Sequence, residues 1–164
     1  MTGFLRVAPI VAACALAGCG YRFGTDAAPP FSSLTIEPIR NESYAPQVQA
    51  DLHRQLADAL AQEKSLHVTT SGGQARLRIT LTDFRRDIGA VDPDDTVRAA
   101  SYNLSLSAKV TLEIADKSLF KDRLFTFTLP AFGGAGYNRT EMQTMPLLTR
   151  ELSKRIKDAV VDVW

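Results

Sequence analysis

The sequence has few of the residues that build covalent, metal or catalytic sites. Its 164 residues include two cysteines, two histidines and one tryptophan. Both cysteines, Cys14 and Cys19, lie near the amino terminus, so the rest of the chain has no thiol pair for a disulfide. His53 and His67 lack the spacing of a metal site or a catalytic triad. We therefore expect a non-enzymatic protein with no metal or cofactor, stabilised by its hydrophobic core.

The sequence also lacks an apolar run long enough for a transmembrane helix at its start. Val7 to Leu16 is uncharged, but it is shorter than the about 20 residues that span a bilayer. A Leu-Ala-Gly-Cys string ends at Cys19, which is typical of a lipobox. We predict a signal peptide over residues 1–18, removal before Cys19 and acylation of that cysteine. The alternative is an ordinary signal peptide followed by an incidental cysteine.

Neither sign of charge is in excess. The chain carries 19 basic and 18 acidic residues. Loss of residues 1–18 removes Arg6 and no acid, and 19 − 1 leaves 18 basic against 18 acidic residues. This balance disfavours a strongly basic nucleic-acid binder. Gly20 follows the lipobox where an aspartate would indicate retention at the inner membrane, so we expect the outer membrane.

Hydrophobic periodicity predicts one α+β domain over residues 34–164, joined to the lipid by a tether over residues 19–33. Val48, Leu52, Leu56 and Leu60 recur every four residues and predict a helix ending near Lys64. A second, longer helix is predicted near the carboxyl terminus, and its apolar stripe is interpreted as core. That stripe comprises Met142, Met145, Leu148, Leu152, Ile156, Ala159, Val160 and Val163.

Alternation of apolar and polar residues predicts the strands. The clearest runs from Tyr102 to Ile114 and turns at Asp116-Lys117 into a partner through Leu119 to Leu129. Shorter strands are predicted at Leu34 to Glu37, Leu66 to Val68 and Ala75 to Thr82. Two helices with one apolar stripe each and a sheet with one apolar face can bury these apolar surfaces against each other. We expect a two-layer sandwich with a mixed, mostly antiparallel sheet of four to five strands and both helices on one face. Only the first two strands should be parallel.

Two further motifs are interpreted as ordinary loops. The acidic string from Asp92 to Asp95 lacks the ligand series of a calcium loop. The glycines from Gly133 to Gly136 precede a helix but lack the Lys-Ser or Lys-Thr pair of a phosphate site.

The polar sheet face could contact a polar partner, although exposed strands are normally polar. The following basic residues supply donors for phosphate or carboxylate groups: Arg76, Arg78, Arg85, Arg86, Arg98, Lys109, Lys121, Arg123 and Arg139.

The order of these elements, together with the Cys19-Gly20-Tyr21-Arg22-Phe23 start, resembles the lipopolysaccharide (LPS) assembly lipoprotein family, LptE-like. The resemblance covers essentially the whole mature chain. It includes the Leu34-Thr35-Ile36 strand, Asn41, the Asp51 to Leu60 helix, the Ala100-Ser101-Tyr102-Asn103 strand opening, the Phe125 strand, Tyr137-Asn138 and the last helix.

The resemblance implies an outer-membrane lipoprotein that plugs the LPS-translocon β-barrel LptD, assists its assembly and binds LPS. Basic residues beside the loop before the long strand, and beside the start of the last helix, would engage LPS phosphates. Arg98 and Arg139 are the nearest matches to those positions in this sequence. The loop departs from the pattern in carrying Asp92, Asp94 and Asp95, which repel phosphate unless they are turned away or neutralised.

Two other functions remain open at this point. One is an outer-membrane lipoprotein that activates a cell-wall synthase by protein contact. A long disordered tether would favour that function, and the tether here is short. The other is a periplasmic carrier of an apolar ligand, which would need an unfilled cavity between helices and sheet.

Overall fold

A mixed sheet and two helices make up the folded part of the chain. The computed structural model describes residues 30–45, 47–91, 99–115, 117–132 and 137–163. Within those ranges the elements are β1 (Ser33–Ile36), β2 (Arg40–Asn41), α1 (Val48–Ala61), β3 (His67–Thr69), β4 (Ala75–Val91), β5 (Ala99–Ile114), β6 (Lys117–Phe132) and α2 (Tyr137–Val161).

The strands are ordered β3, β1, β4, β5, β6, and β2 pairs with β4 just beyond β1. β1 is parallel to both β3 and β4, whereas β4, β5 and β6 are antiparallel to their neighbours. The α+β fold class is confirmed, with one short strand more than the four to five expected. The expectation that only the first two strands are parallel was wrong, because β1 lies between β3 and β4 and both follow its direction.

Both helices cover the sheet with apolar stripes, as the sequence predicted. α1 ends at Ala61, three positions before the expected Lys64. Gln55 Nε2 of α1 donates to the Pro146 carbonyl of α2, and Lys157 of α2 pairs with Glu63, so the helices run side by side in one direction. Fully buried side chains from these stripes are Leu52, Leu56, Leu60, Leu148, Leu152, Ile156 and Val160.

Met142 is not part of the core, and its assignment to the buried stripe was wrong. Its side chain is 77% exposed, whereas Met145 one turn later is buried. Met142 borders an open groove between α1 and α2, lined by residues that include Val48 and Met145. The stripe has the correct helical spacing, but its first member faces this groove instead of packing into the core.

The fold also begins earlier than the predicted boundary between tether and domain. Phe31 is only 2% exposed and belongs to the hydrophobic core, and β1 starts at Ser33 rather than Leu34. The Ser32 amide donates to Gln74 Oε1 at 2.7 Å, which fixes this entry segment beside the start of β4. The residues up to Ser33 were assigned to the tether because a single phenylalanine shows no periodicity.

The hairpin between β5 and β6 turns at Ala115, which has a φ of 50°, one residue before the predicted Asp116-Lys117 turn. β6 continues through Pro130 to Phe132 instead of ending at Leu129. Pro130 pairs with Asn103 of β5. A proline is tolerated here because β6 is the last strand in the order and its outer side has no ladder to lose.

The short connection from β3 to β4 has to cross β1, because both strands pair with it from opposite sides. Gly73 makes this close crossing possible. A Cβ at Gly73 would lie 2.7 Å from the Thr35 amide nitrogen and 2.9 Å from the Leu34 carbonyl carbon. The Gly73 amide also donates to Thr35 Oγ1 at 2.9 Å. The crossing therefore depends on a residue without a side chain.

Gly73→Ala should destabilise the fold by about 2–3 kcal/mol, because the added methyl group meets backbone that cannot move aside. Gly89→Ala is the matched control. Its Cβ would meet Ser101 Oγ at 2.8 Å, and that hydroxyl can rotate away, so we expect less than about 1 kcal/mol. Urea unfolding of both variants measures the difference. Equal losses would contradict the proposed close crossing.

Candidate functional site: the polar sheet face and its open end

The face of the sheet that points away from the helices carries hydroxyl pairs across β5 and β6. Ser105 Oγ lies 2.7 Å from Thr128 Oγ1, and Ser107 Oγ lies 2.9 Å from Thr126 Oγ1. Directly opposed serine and threonine residues stabilise neighbouring strands through such hydrogen bonds. Each hydroxyl keeps further capacity to donate or accept. The result is a polar, uncharged strip suited to a hydrated or hydroxyl-rich partner surface.

Arg78 on the same face is committed to internal ion pairs. Its Nε lies 3.1 Å from Glu37 Oε2, and its Nη1 lies 3.7 Å from Glu113 Oε1. The hydrogen bond to Glu37, followed by attraction to the same carboxylate, raises the pKa of Arg78. This guanidinium ties β1, β4 and β5 together and is not a free phosphate donor.

Other basic residues singled out in the sequence also have local partners. Arg85 Nε lies 2.7 Å from Asp83 Oδ2, and Arg76 donates to the Ala115 carbonyl at 3.3 Å. Arg123 stacks on aromatic rings, whereas Lys109 and Lys121 are exposed and make no ion pair within the described ranges. The sheet face is consequently less cationic than its sequence suggested.

The two candidate LPS-binding residues adjoin, in the sequence, segments that lie at one end of the sheet. Val91 pairs with Ala99, and Ser101 pairs with Phe132, so β4, β5 and β6 all reach this end. Arg98 lies outside the described residues and directly precedes β5. Arg139 falls in the first turn of α2, whose side chains are not described there. The described backbone places the start of β5 at this end, and also α2 near its start, where Glu141 meets Arg86 of β4. The acidic string Asp92 to Asp95 also lies outside the described residues.

Apolar side chains at this same end were missed by the sequence reasoning. Ile88 is 67% exposed, and Phe132 is 75% exposed. On the helix-covered face, two positions before Ile88, Arg86 of β4 pairs with Glu141 of α2, whereas Phe132 pairs with Ser101 and lies on the polar face. The alternation of apolar and polar residues continues after Thr82 and could have predicted the longer β4 that contains Ile88. Phe132 lies between Pro130 and a glycine-rich run, where no such alternation predicts a strand.

The predicted amino-terminal features, with Cys19 as the lipidation site, lie outside the described residues, as do Gly133, Gly134 and Gly136. In the part of the chain that is described, no helix combines the length and apolar character needed to cross a membrane. The described residues also contain no cluster of three side chains that could hold a metal ion.

Between the helices and the sheet, the core is filled by side chains that exclude solvent. Leu77, Ile79 and Leu81 of β4 are fully buried there. A carrier of an apolar ligand needs an open cavity in this place. The packed core therefore does not support a role as a carrier of apolar ligands.

Solved structures share this fold at low sequence identity. A minor lipoprotein from Acinetobacter baumannii has a TM-score of 0.52 and 15% identity, covering 79% of this chain and 90% of its own. Uncharacterized lipoprotein B from Nitrosomonas europaea has a TM-score of 0.52 and 14% identity, covering 85% of both chains. A Xanthomonas campestris protein of the DUF330 family has a TM-score of 0.59 and 11% identity, covering 85% of this chain and 89% of its own.

No curated protein matches the chain significantly. A family match does cover the folded part. It begins at residue 31, where the buried core begins, and continues to residue 162, one residue after the end of α2. The match therefore includes both helices and every strand described above. On this evidence the chain belongs to the LptE family, described as lipopolysaccharide-assembly.

Proposed function

We propose that this protein is an outer-membrane lipoprotein that plugs the LPS-translocon β-barrel LptD, assists its assembly and binds LPS for delivery to the outer leaflet. The observation that carries the proposal is the family match over residues 31–162. Cys19 would bear the lipid that anchors the chain, with the folded domain on the periplasmic side and in the barrel lumen. Neither catalysis nor a cofactor beyond that lipid is part of this role.

The shape and surface of the domain support such a plug. The domain is elongated along its sheet, because β4, β5 and β6 have 16 or 17 residues each and span roughly 50 Å at the rise of a strand residue. Large outer-membrane barrels have polar interiors that accommodate a plug domain. The hydroxyl pairs of the sheet face, Ser105 with Thr128 and Ser107 with Thr126, match a polar wall. The internal ion pairs of Arg78 and Arg85 keep that face from carrying a strong charge of one sign.

LPS binding is assigned to Arg98 and Arg139, whose described neighbours in the chain, Ala99 and Glu141, lie at one end of the sheet. Guanidinium groups bind phosphate bidentately. The exposed apolar side chains Ile88, Phe132 and Met142 are at the same end or in the groove beside it. LPS combines phosphate groups with acyl chains, so this juxtaposition of cationic positions and apolar surface fits both parts of the molecule.

Affinity purification of the full-length lipoprotein from solubilised outer membranes should recover a large β-barrel in near-equal amount. Cys19→Ser should abolish labelling by a palmitate analogue, because it removes the acyl acceptor, and should reduce barrel recovery. Cys14→Ser, upstream of the proposed cleavage point, is the matched control and should leave both unchanged. Recovery of cell-wall enzymes without a barrel would contradict the proposal and favour the synthase activator.

Charge reversal tests the assignment of the phosphate-binding residues. Arg98→Glu and Arg139→Glu should each weaken LPS binding about tenfold, because a charge-assisted hydrogen bond contributes about 1.5–3 kcal/mol. Lys121→Glu makes the same charge change near the opposite end of β6 and should leave the affinity unchanged. Binding to purified LPS by the full-length variants is the measurement. Affinity unaltered in both arginine variants would remove these residues from the site.

A further inference from the structure

The outer edge of β6 carries backbone groups that pair with no other strand in the described ranges. β6 is the last strand of the order, and β5 pairs with its inner side. The carbonyl of Thr126 accepts a hydrogen bond from Arg155 Nη1 at 3.3 Å, so it points away from β5. In an antiparallel ladder, alternate residues direct both N–H and C=O to the same side. Leu124 and Thr128 therefore present their backbone groups outward with Thr126.

Both ends of this outward row are closed. At one end, Asp122 has a φ of 50°, and its amide donates to Thr111 Oγ1 at 3.0 Å. At the other end, Pro130 is two residues after Thr128 and therefore also faces outward, but proline has no backbone N–H to donate. Bulges and prolines are the devices that shorten a strand edge against unwanted pairing. Here they leave a short open segment from Leu124 to Thr128.

The helix side of this segment is cationic and aromatic. The guanidinium of Arg155 lies 4.7 Å from the centre of the Phe127 ring, and that of Arg123 lies 5.3 Å from the centre of the Phe125 ring. Neither arginine forms an ion pair within the described ranges, and both are exposed. A groove between this segment of β6 and the end of α2 also contains Asp158 and Asp162. Asp158 is already held by Lys157 at 3.0 Å.

We propose that an extended segment of a partner polypeptide, with an acidic side chain directed at Arg155, adds to the sheet as a strand beside Leu124–Thr128. The amides of Leu124, Thr126 and Thr128 and the carbonyls of Leu124 and Thr128 supply the main-chain bonds, because the Thr126 carbonyl is already bonded to Arg155. The Arg155 guanidinium selects an acidic side chain on the partner. A partner strand of about five residues fits beside Leu124–Thr128, a length of roughly 17 Å. This goes beyond the proposed function, because it names a separate surface and a specific mode of contact, main-chain pairing with an acidic segment.

The probe is an acetylated, amidated heptapeptide of alternating valine and glutamate, added to the full-length lipoprotein in detergent micelles. We expect the amide signals of Leu124, Thr126 and Thr128 to shift and to become protected from hydrogen exchange. Thr128→Pro removes one outward N–H and should weaken binding at least tenfold. Thr128→Val is the matched control, because it also loses the hydroxyl bond to Ser105 but keeps the amide.

Two further comparisons keep the proposal falsifiable even if the proline variant fails to fold. The same peptide with alternate amides N-methylated should not bind the unaltered protein. Arg155→Glu should reverse the preference between the glutamate peptide and a lysine peptide, whereas Arg150→Glu on the exposed surface of α2 should not. Unprotected amides at Leu124, Thr126 and Thr128, or equal binding of the N-methylated peptide, would overturn strand addition. An unchanged preference in Arg155→Glu would overturn the acidic-partner assignment. Neither result depends on whether the β-barrel co-purifies.

Discussion

The burial of one apolar sheet face beneath two helices is the constraint on which the other features depend. Along β5, Leu104, Leu106, Ala108, Val110 and Leu112 are buried at every second position. Each fully buried aliphatic side chain contributes about 1.5–3 kcal/mol. A shift of one residue in the register would expose the entire set. The same alternation leaves the opposite face to serine, threonine and charged residues.

Because the helices use their apolar stripes on the sheet, the surfaces left for partners are of other kinds. The polar face presents hydroxyl pairs, β6 presents an open backbone edge, and the end near Ile88 and Phe132 presents apolar side chains. Membership of the LptE family gives these surfaces a common context in LPS assembly. The proposed plug role uses the polar face and the apolar end, and strand addition would use the edge.

Local patterns predicted most of the elements, and long-range packing accounts for what they missed. The spacing of Val48, Leu52, Leu56 and Leu60 depends only on helix geometry, and all four are buried. Whether a stripe member is buried depends on which distant residues pack against it, and Met142 borders a groove between the helices, so its exposure could not be predicted. The crossing at Gly73 and the pairing of β2 with β4 also require contacts between distant segments. For the candidate phosphate-binding residues, the structure describes only chain neighbours of Arg98 and the helix backbone at Arg139.

The reactivity of single cysteines along β5 tests the central claim most directly. Ser105→Cys lies on the polar face, and Leu104→Cys lies beneath the helices. In the native full-length lipoprotein, a maleimide should react rapidly with the cysteine at position 105. It should react with the cysteine at position 104 only after unfolding. The unaltered protein gives the background reactivity. Comparable rates at the two positions in the folded protein would contradict a sheet covered on one face only.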